Sequence, residues 1–219
     1  MNLMGPQAIL FDLGNVLVDV SHEAIARELA RLSRRKPYDD PQAVRRYVFH
    51  PRNGLANLFD VGLFSPEEFY RRVQQEFGLQ ASFADFLRAW TCSIQPRPAA
   101  EALIPFLHKQ RVTTALLSNT NVSHFEYVLQ AFPWIKRVDH FFLSYELKCR
   151  KPSTAVYDRV LKTLRIPGDA VLYFDDMLEY VETAQALGIR GVLVDPGTSL
   201  VLEIRKALPE LEWSQWETP

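Results

Sequence analysis

Ala8-Ile9-Leu10-Phe11-Asp12-Leu13-Gly14-Asn15-Val16-Leu17-Val18-Asp19 is the stretch on which the reading of the chain turns. It begins as a short apolar run, the pattern of a strand buried on both faces of a parallel sheet. A carboxylate follows, and then Gly14 and Asn15, two residue types that tolerate unusual backbone angles. Open α/β sheets keep their chemistry at the C-terminal ends of the strands, which is where Asp12 falls. Taken alone, an Asp after a strand is more often a turn former or a helix cap than a catalytic group.

Working outward, Ser21 to Gln95 changes to a helical pattern. Stretches near His22–Leu32 and Pro41–Phe49 have helical periodicity. Ser65-Pro66-Glu67-Glu68 is a helix start, with Phe69, Val73 and Phe77 on one face and Gly78 as the stop. Ser82 with Asp85 opens another helix carrying Phe86, Leu87 and Trp90. No strand is expected there, so this periodicity describes a helical insertion of roughly seventy-five residues. Gln95-Pro96-Arg97-Pro98 marks its end as an extended linker.

Beyond the linker, helices and strands alternate. Strands are expected at Val112–Leu117, His140–Leu143, Val171–Phe174 and Gly191–Val194. Ser123-x-x-Glu126 is expected to cap the helix after the first of these. For the Asp175-Asp176 pair, a cap on the helix after the third, with Asp176 as cap, is one reading, compatible with a ligand role. The alternation predicts an α/β fold, a doubly wound parallel sheet covered by helices on both sides. The expected division is a core of residues 1–18 and 96–219 with a helical cap of residues 19–95.

The chain has 219 residues and a formal net charge of -1, with its basic residues scattered, which argues against nucleic acid or an anionic membrane as the main partner. At this length a single core buries about 70% of the unfolded surface, so no disulfide or structural metal is needed. Cys92 and Cys149 are widely spaced without His neighbours and read as reduced structural thiols. Neither a signal peptide nor a membrane span is apparent, so a cytoplasmic protein is expected.

Polar residues stand just past four of these strands: Asp12, then Ser118-Asn119, then Lys151 on a loop, then Asp175-Asp176. In a doubly wound sheet these loops lie side by side. Clustered carboxylates suit Mg²⁺, while a hydroxyl, a lysine and helix N-termini suit an anion. Together they indicate phosphoryl transfer. A carboxylate approaching a phosphate meets repulsion of about 4 kcal/mol per charge pair at ~4 Å and an effective dielectric of about 20, so cations are required.

Phe-Asp-Leu-Gly-Asn-Val-Leu, Leu-Ser-Asn-Thr-Asn, Arg-Lys-Pro and Tyr-Phe-Asp-Asp, in this order, resemble the motifs of the haloacid dehalogenase superfamily. The likeness is to its helical-cap phosphatases, akin to sugar-1-phosphate phosphatases and the N-terminal phosphatase domain of epoxide hydrolases. That resemblance implies Asp12 as the nucleophile forming an aspartyl-phosphate. It implies Asp12, Asp176 and the carbonyl of Gly14 as Mg²⁺ ligands, and Ser118 and Asn119 as holders of the phosphate. Lys151 would neutralise charge between nucleophile and phosphate.

The expected protein is thus a Mg²⁺-dependent phosphomonoesterase for a small phosphorylated metabolite, as a monomer or homodimer. Two positions depart from the family pattern. The acid/base Asp expected two residues after the nucleophile is Gly14, and the acidic or amide residue expected four after Asp176 is Tyr180. A sugar 1-phosphate, whose anomeric leaving group is less basic than an ordinary alcohol, would tolerate the first departure. Other readings keep the fold but give a 2-haloacid dehalogenase, or a phosphate-ligand binder with weak or no turnover. A phospho-receiver domain would need the acidic pair on the first strand, which is the wrong order. His50, Arg52, Asn53 and Phe59 fall in an irregular cap stretch, and His108, His124 and His140 show no partner pattern.

Overall fold

The computed structural model describes residues 5–195 and 197–216. Its centre is a five-stranded sheet, all of whose pairings are parallel, in the spatial order β5-β4-β1-β6-β7. In chain order these are β1 (Ala8–Phe11), β4 (Thr113–Ser118), β5 (His140–Leu143), β6 (Val171–Asp175) and β7 (Arg190–Leu193). All four residues of β1 are fully buried because helices cover both faces of the sheet. Ile9 and Phe11 pack toward Leu103, Ile104 and Leu107 of α6 (Ala100–Lys109), with α11 (Leu200–Ala207) beyond. Leu10 faces the other way, with Val156 and Val160 of α9 (Thr154–Leu164) and Ala184 of α10 (Leu178–Ala186).

Strand register decides where the chemistry falls. Phe11 pairs with Leu116 on one side and Phe174 on the other, so Asp12, Ser118 and Asp175 emerge at a common edge. The amide of Asp12 donates to the Phe174 carbonyl at 2.9 Å, carrying the ladder one residue past the end of β1.

Five helices are inserted between β2 (Val18–Asp19) and β3 (Gln95–Pro96), which pair antiparallel as a two-residue ribbon. They are α1 (His22–Leu32), α2 (Pro41–Val48), α3 (Leu55–Asp60), α4 (Pro66–Phe77) and α5 (Phe83–Thr91). The expected starts of α4 and α5 are reciprocal capping boxes, Ser65 with Glu68 and Ser82 with Asp85. Gly78 ends α4 in the left-handed region at φ 63°. One expected cap is corrected, and one alternative cap is ruled out. Asn121, not Ser123, caps α7 (Val122–Ala131), its side chain accepting from His124 N, and Ser123 sits inside the helix. Asp176 does not cap α10, because it is turned toward Asn15, while Asp175 accepts from Met177 N at the start of that helix.

The inserted helices share their own apolar centre, in which Phe59 stacks on Phe69 at 4.5 Å and Phe69 lies 4.8 Å from Trp90. Among the described residues no helix is long and apolar enough to cross a membrane. Since Phe69 is fully enclosed, Phe69→Ala is expected to cost about 3–5 kcal/mol through the cavity it leaves. Urea unfolding followed by tryptophan fluorescence measures this loss, because Trp90 belongs to the same cluster.

Candidate active site

At the common edge of the sheet, the Lys151 ammonium is enclosed between two carboxylates, with 1% of its side chain exposed. Its Nζ lies 2.9 Å from Asp12 Oδ1 and 2.6 Å from Asp175 Oδ2. The rings of Tyr180 and Tyr173 lie beneath or beside the ammonium at 5.1 and 5.7 Å. The Tyr173 hydroxyl donates to the same Asp175 oxygen. The Lys151 backbone is fixed as well: its N–H donates to Asn119 Oδ1 at 2.8 Å, and its carbonyl accepts from Asn119 Nδ2 at 3.0 Å. The Asn119 amide is therefore engaged with a peptide. Ser118, 3% exposed at the end of β4, is the member of the pair whose side chain has no such commitment among the described residues.

Asp12, Asp175 and Asp176 each offer a carboxylate oxygen, all within 4.8 Å of one another. The three differ in what else holds them. Asp12 Oδ1 accepts from Leu13 N at 2.7 Å as well as from Lys151, which leaves Oδ2 as its freer oxygen. Asp176 is turned by Asn15, whose Nδ2 donates to Oδ2 at 2.9 Å. Asn15 reaches it from the left-handed region, at φ 55°. Both oxygens of Asp175 are engaged, Oδ2 with Lys151 and Tyr173 and Oδ1 with Met177 N.

Electrostatically the cluster is short of positive charge. Burial, with the charges of Asp175 and Asp176, pushes Asp12 up to about 7 against the opposing pull of Lys151. Burial and the Asp175 charge likewise raise Asp176, while the Asn15 hydrogen bond opposes them. Lys151 resists the lowering effect of burial and is raised by Asp12 and Asp175, so it stays protonated. One ammonium facing three carboxylates leaves the negative excess that a divalent cation with oxygen ligands would fill. The donor set fits Mg²⁺.

A cavity of about 590 Å³ opens above the cluster, reaching Asp12, Gly14, Ser118 and Asp176 on the floor and Phe49, His50, Asp60 and Trp90 on the cap side. Of the cap residues singled out from the sequence, His50 lines this cavity and Phe59 belongs to the cap core. His124, which shows no partner pattern in the sequence, lines the cavity, stacks on Trp90 at 4.8 Å and bonds the Trp90 carbonyl at 2.9 Å. Asn121 joins the two halves: its Oδ1 accepts from Trp90 Nε1 at 3.3 Å and its Nδ2 donates to Asp60 Oδ1 at 3.0 Å. The sequence carried signals for Asn121, which follows Ser118-Asn119, and for Asp175, which adjoins Asp176.

Removing Lys151 leaves Asp12 and Asp175 buried without their counter-ion. Lys151→Met is expected to cost about 3–5 kcal/mol near neutral pH. A carboxylate held above its ordinary 3.8 in the folded state contributes stability below that value and loses it as pH rises through about 7. The deficit of Lys151→Met relative to the parent should therefore stay nearly constant below about pH 6 and widen from about pH 6 to about pH 8, where Asp12 ionises beside Lys151 in the parent and lacks that counter-ion in the variant. Denaturant titrations across that range check the trend, and a deficit independent of pH would contradict it.

Comparison with known proteins agrees with this geometry. A family model described as haloacid dehalogenase-like hydrolase matches residues 6–188. The chain is 26% identical over 149 residues to the sesquiterpene phosphatase astK of Aspergillus oryzae, covering 68% of this chain and 76% of that one. It is 22% identical over 186 residues to the D-ribitol-5-phosphate phosphatase of Bacteroides thetaiotaomicron, covering 82% and 87%. A crystal structure of a HAD family enzyme from Bacteroides thetaiotaomicron, in complex with magnesium and inorganic phosphate, has the same fold with a TM-score of 0.78 and 24% identity, covering 89% of this chain and 97% of that one. With the match spanning all four motif loops and the strands β1, β4, β5 and β6 that align them, the chain belongs to the haloacid dehalogenase-like hydrolases.

Proposed function

We propose that this hydrolase is a Mg²⁺-dependent phosphomonoesterase working through an aspartyl-phosphate on a small phosphorylated metabolite. The observation that carries the reading is the cluster of Asp12, Asp175 and Asp176 around the buried ammonium of Lys151, at the floor of a cavity. Phosphatase activity in the two relatives and the magnesium–phosphate complex of a fold neighbour support it.

Asp12 supplies the nucleophilic carboxylate oxygen. It attacks phosphorus, the P–O bond to the substrate alcohol breaks, and the alcohol departs with a proton drawn from water. A water molecule then attacks the aspartyl-phosphate, its P–O bond to Asp12 breaks, and inorganic phosphate leaves. Asp12 and Asp176, with the Gly14 carbonyl, would hold Mg²⁺, and Asp175 would organise the cluster through Lys151 and Met177 N. Bound there, the ion offsets phosphoryl negative charge as a Lewis acid. Lys151 neutralises the nucleophile's surroundings, and the Ser118 hydroxyl with the N–H groups near the start of α7 orients phosphate oxygens. The aromatic floor of Tyr173 and Tyr180 keeps water away from the ammonium.

The expected result is hydrolysis of phosphomonoesters that stops with EDTA and returns with Mg²⁺. Asp12→Asn should remain folded and lose at least about a thousandfold in turnover, the scale of removing an activated nucleophile. Metal-independent release of halide from 2-haloacids, without phosphate release from esters, would overturn the assignment.

Within this reading, a sugar 1-phosphate is the favoured ester type. Gly14 leaves no side-chain acid for the departing alcohol, and an anomeric hydroxyl needs that help least. Matched hexose 1- and 6-phosphates should differ in kcat in favour of the 1-phosphate. A Cβ at Gly14 would meet nothing nearer than Val20 at 3.8 Å, so Gly14→Asp fits and should narrow the gap by raising the 6-phosphate rate about tenfold or more. A parent enzyme preferring the 6-phosphate rejects the argument.

A further inference from the structure

The cavity holds positive charge that the phosphoryl chemistry does not use. Arg150 precedes Lys151 and lines the cavity, and its Nε is enclosed without a hydrogen-bond partner. Among the described residues its guanidinium closes no ion pair. Its charge reaches the carboxyl of Asp60 on the cap side, but that carboxyl is itself held by Asn121 at 3.0 Å. Arg150 thus stands between the floor and the cap, where the body of a substrate would lie.

At the mouth, Arg45 and Arg46 of α2 line the same cavity. Arg45 is engaged with Glu23 across an exposed 3.5 Å, and Arg46 closes no ion pair among the described residues. Apart from the cluster on the floor, Asp60 is the acid on this wall. A planar guanidinium whose enclosed Nε is unfilled matches a carboxylate or phosphate, which can take paired hydrogen bonds from Nε and a terminal nitrogen. Phe49, Trp90 and Ile94 line the cavity as well and supply an apolar side suited to a carbon skeleton.

We propose that Arg150, with Arg46 at the mouth, forms a second anion subsite, so that the preferred substrate is a phosphomonoester whose far end carries another anionic group. This rests on the phosphatase reading above and adds a specificity that the reading does not contain. The distal group is either a second phosphate or a carboxylate, both of which a guanidinium grips in the same way.

The test uses Asp12→Asn protein with Mg²⁺ and three esters of one alkanediol monophosphate chain, ending in a hydroxyl, a carboxylate or a second phosphate. Calorimetric titration is expected to show the anionic ends binding about ten- to hundredfold more tightly than the hydroxyl end. Adding Arg150→Gln should reduce that advantage to within about threefold, Arg150→Lys should retain part of it, and the surface change Arg46→Gln should lower it in the same tail-specific way. Whichever anionic tail binds more tightly identifies the source. Equal affinity for all three tails overturns the subsite while leaving the phosphatase reading intact. So does a loss on Arg150→Gln that is the same for every tail, which would put Arg150 on the scissile phosphate. If neither inorganic phosphate nor any ester binds in the presence of Mg²⁺, both readings fall together.

Discussion

An ammonium almost wholly removed from water must be matched by charges that the fold itself brings together, and Lys151 imposes that condition on this structure. Its partners come from the ends of β1 and β6, while Lys151 comes from a loop beyond β5. The strands must therefore align residue for residue, as Phe11 with Phe174 does, because a slip would bury the charges apart. Asn119 closes the arrangement from β4's end by clasping the Lys151 peptide at both its N–H and its carbonyl. A fold that meets this condition has a preorganised site before any ligand arrives.

The cap is tied into the same construction. The ribbon of β2 and β3 is its covalent attachment, and Arg97, 7% exposed, reinforces the ribbon by donating to the Thr198 carbonyl at 2.6 Å and lying 3.6 Å from Asp19. Farther out, Asn121 holds Trp90 and Asp60 of the cap, and Ser144 Oγ donates to the Asp60 carbonyl at 2.5 Å while accepting from Thr120 N at 2.9 Å. The loop from Ser118 to Asn121 is thus shaped by the cap as well as by β4. Burial pushes the Asp60 carboxyl up to about 6, so this junction contains a polar group whose enclosure opposes stability and which the Asn121 hydrogen bond offsets. Such groups persist where geometry matters more than stability.

What could be read from the sequence was whatever local physics determines. An apolar run four residues long is a buried strand, and Ser65 with Glu68 is a helix start, since in each case the deciding partners lie within a few positions. The order of polar residues after the strands was equally legible, because topology alone brings strand ends together. What was not legible depends on distant pairing. Asn15 and Asp176 are 161 positions apart, and nothing near either says that one orients the other. The bridging by Asn121 and the stacking of His124 on Trp90 likewise exist only once cap and core are docked, and the central place of Asp175 only once the Lys151 loop lies against β6. The six-residue helix α3 opens on Gly54 with no side-chain cap and so left no signature of the kind that revealed α4.

Gly14 shows how the charge condition reaches into the chemistry. Space is not what excludes a larger residue there, for a Cβ would find its nearest neighbour at 3.8 Å. Charge offers a reason. Asp12 and Asp176 are already raised by burial and by the carboxylates around them, with a single ammonium for compensation. A further carboxylate two residues from Asp12 would add repulsion to a cluster that only a divalent ion can balance. Omitting it spares Asp12 and Asp176 a further upward push, so in the proposed reaction Asp12 ionises more readily as the nucleophile. The burden then passes to the leaving group, which must depart without a side-chain acid. On this argument the missing acid and the crowded carboxylates are one trade, in which the proposed site gives up general acid help so that Asp12 is not pushed up further.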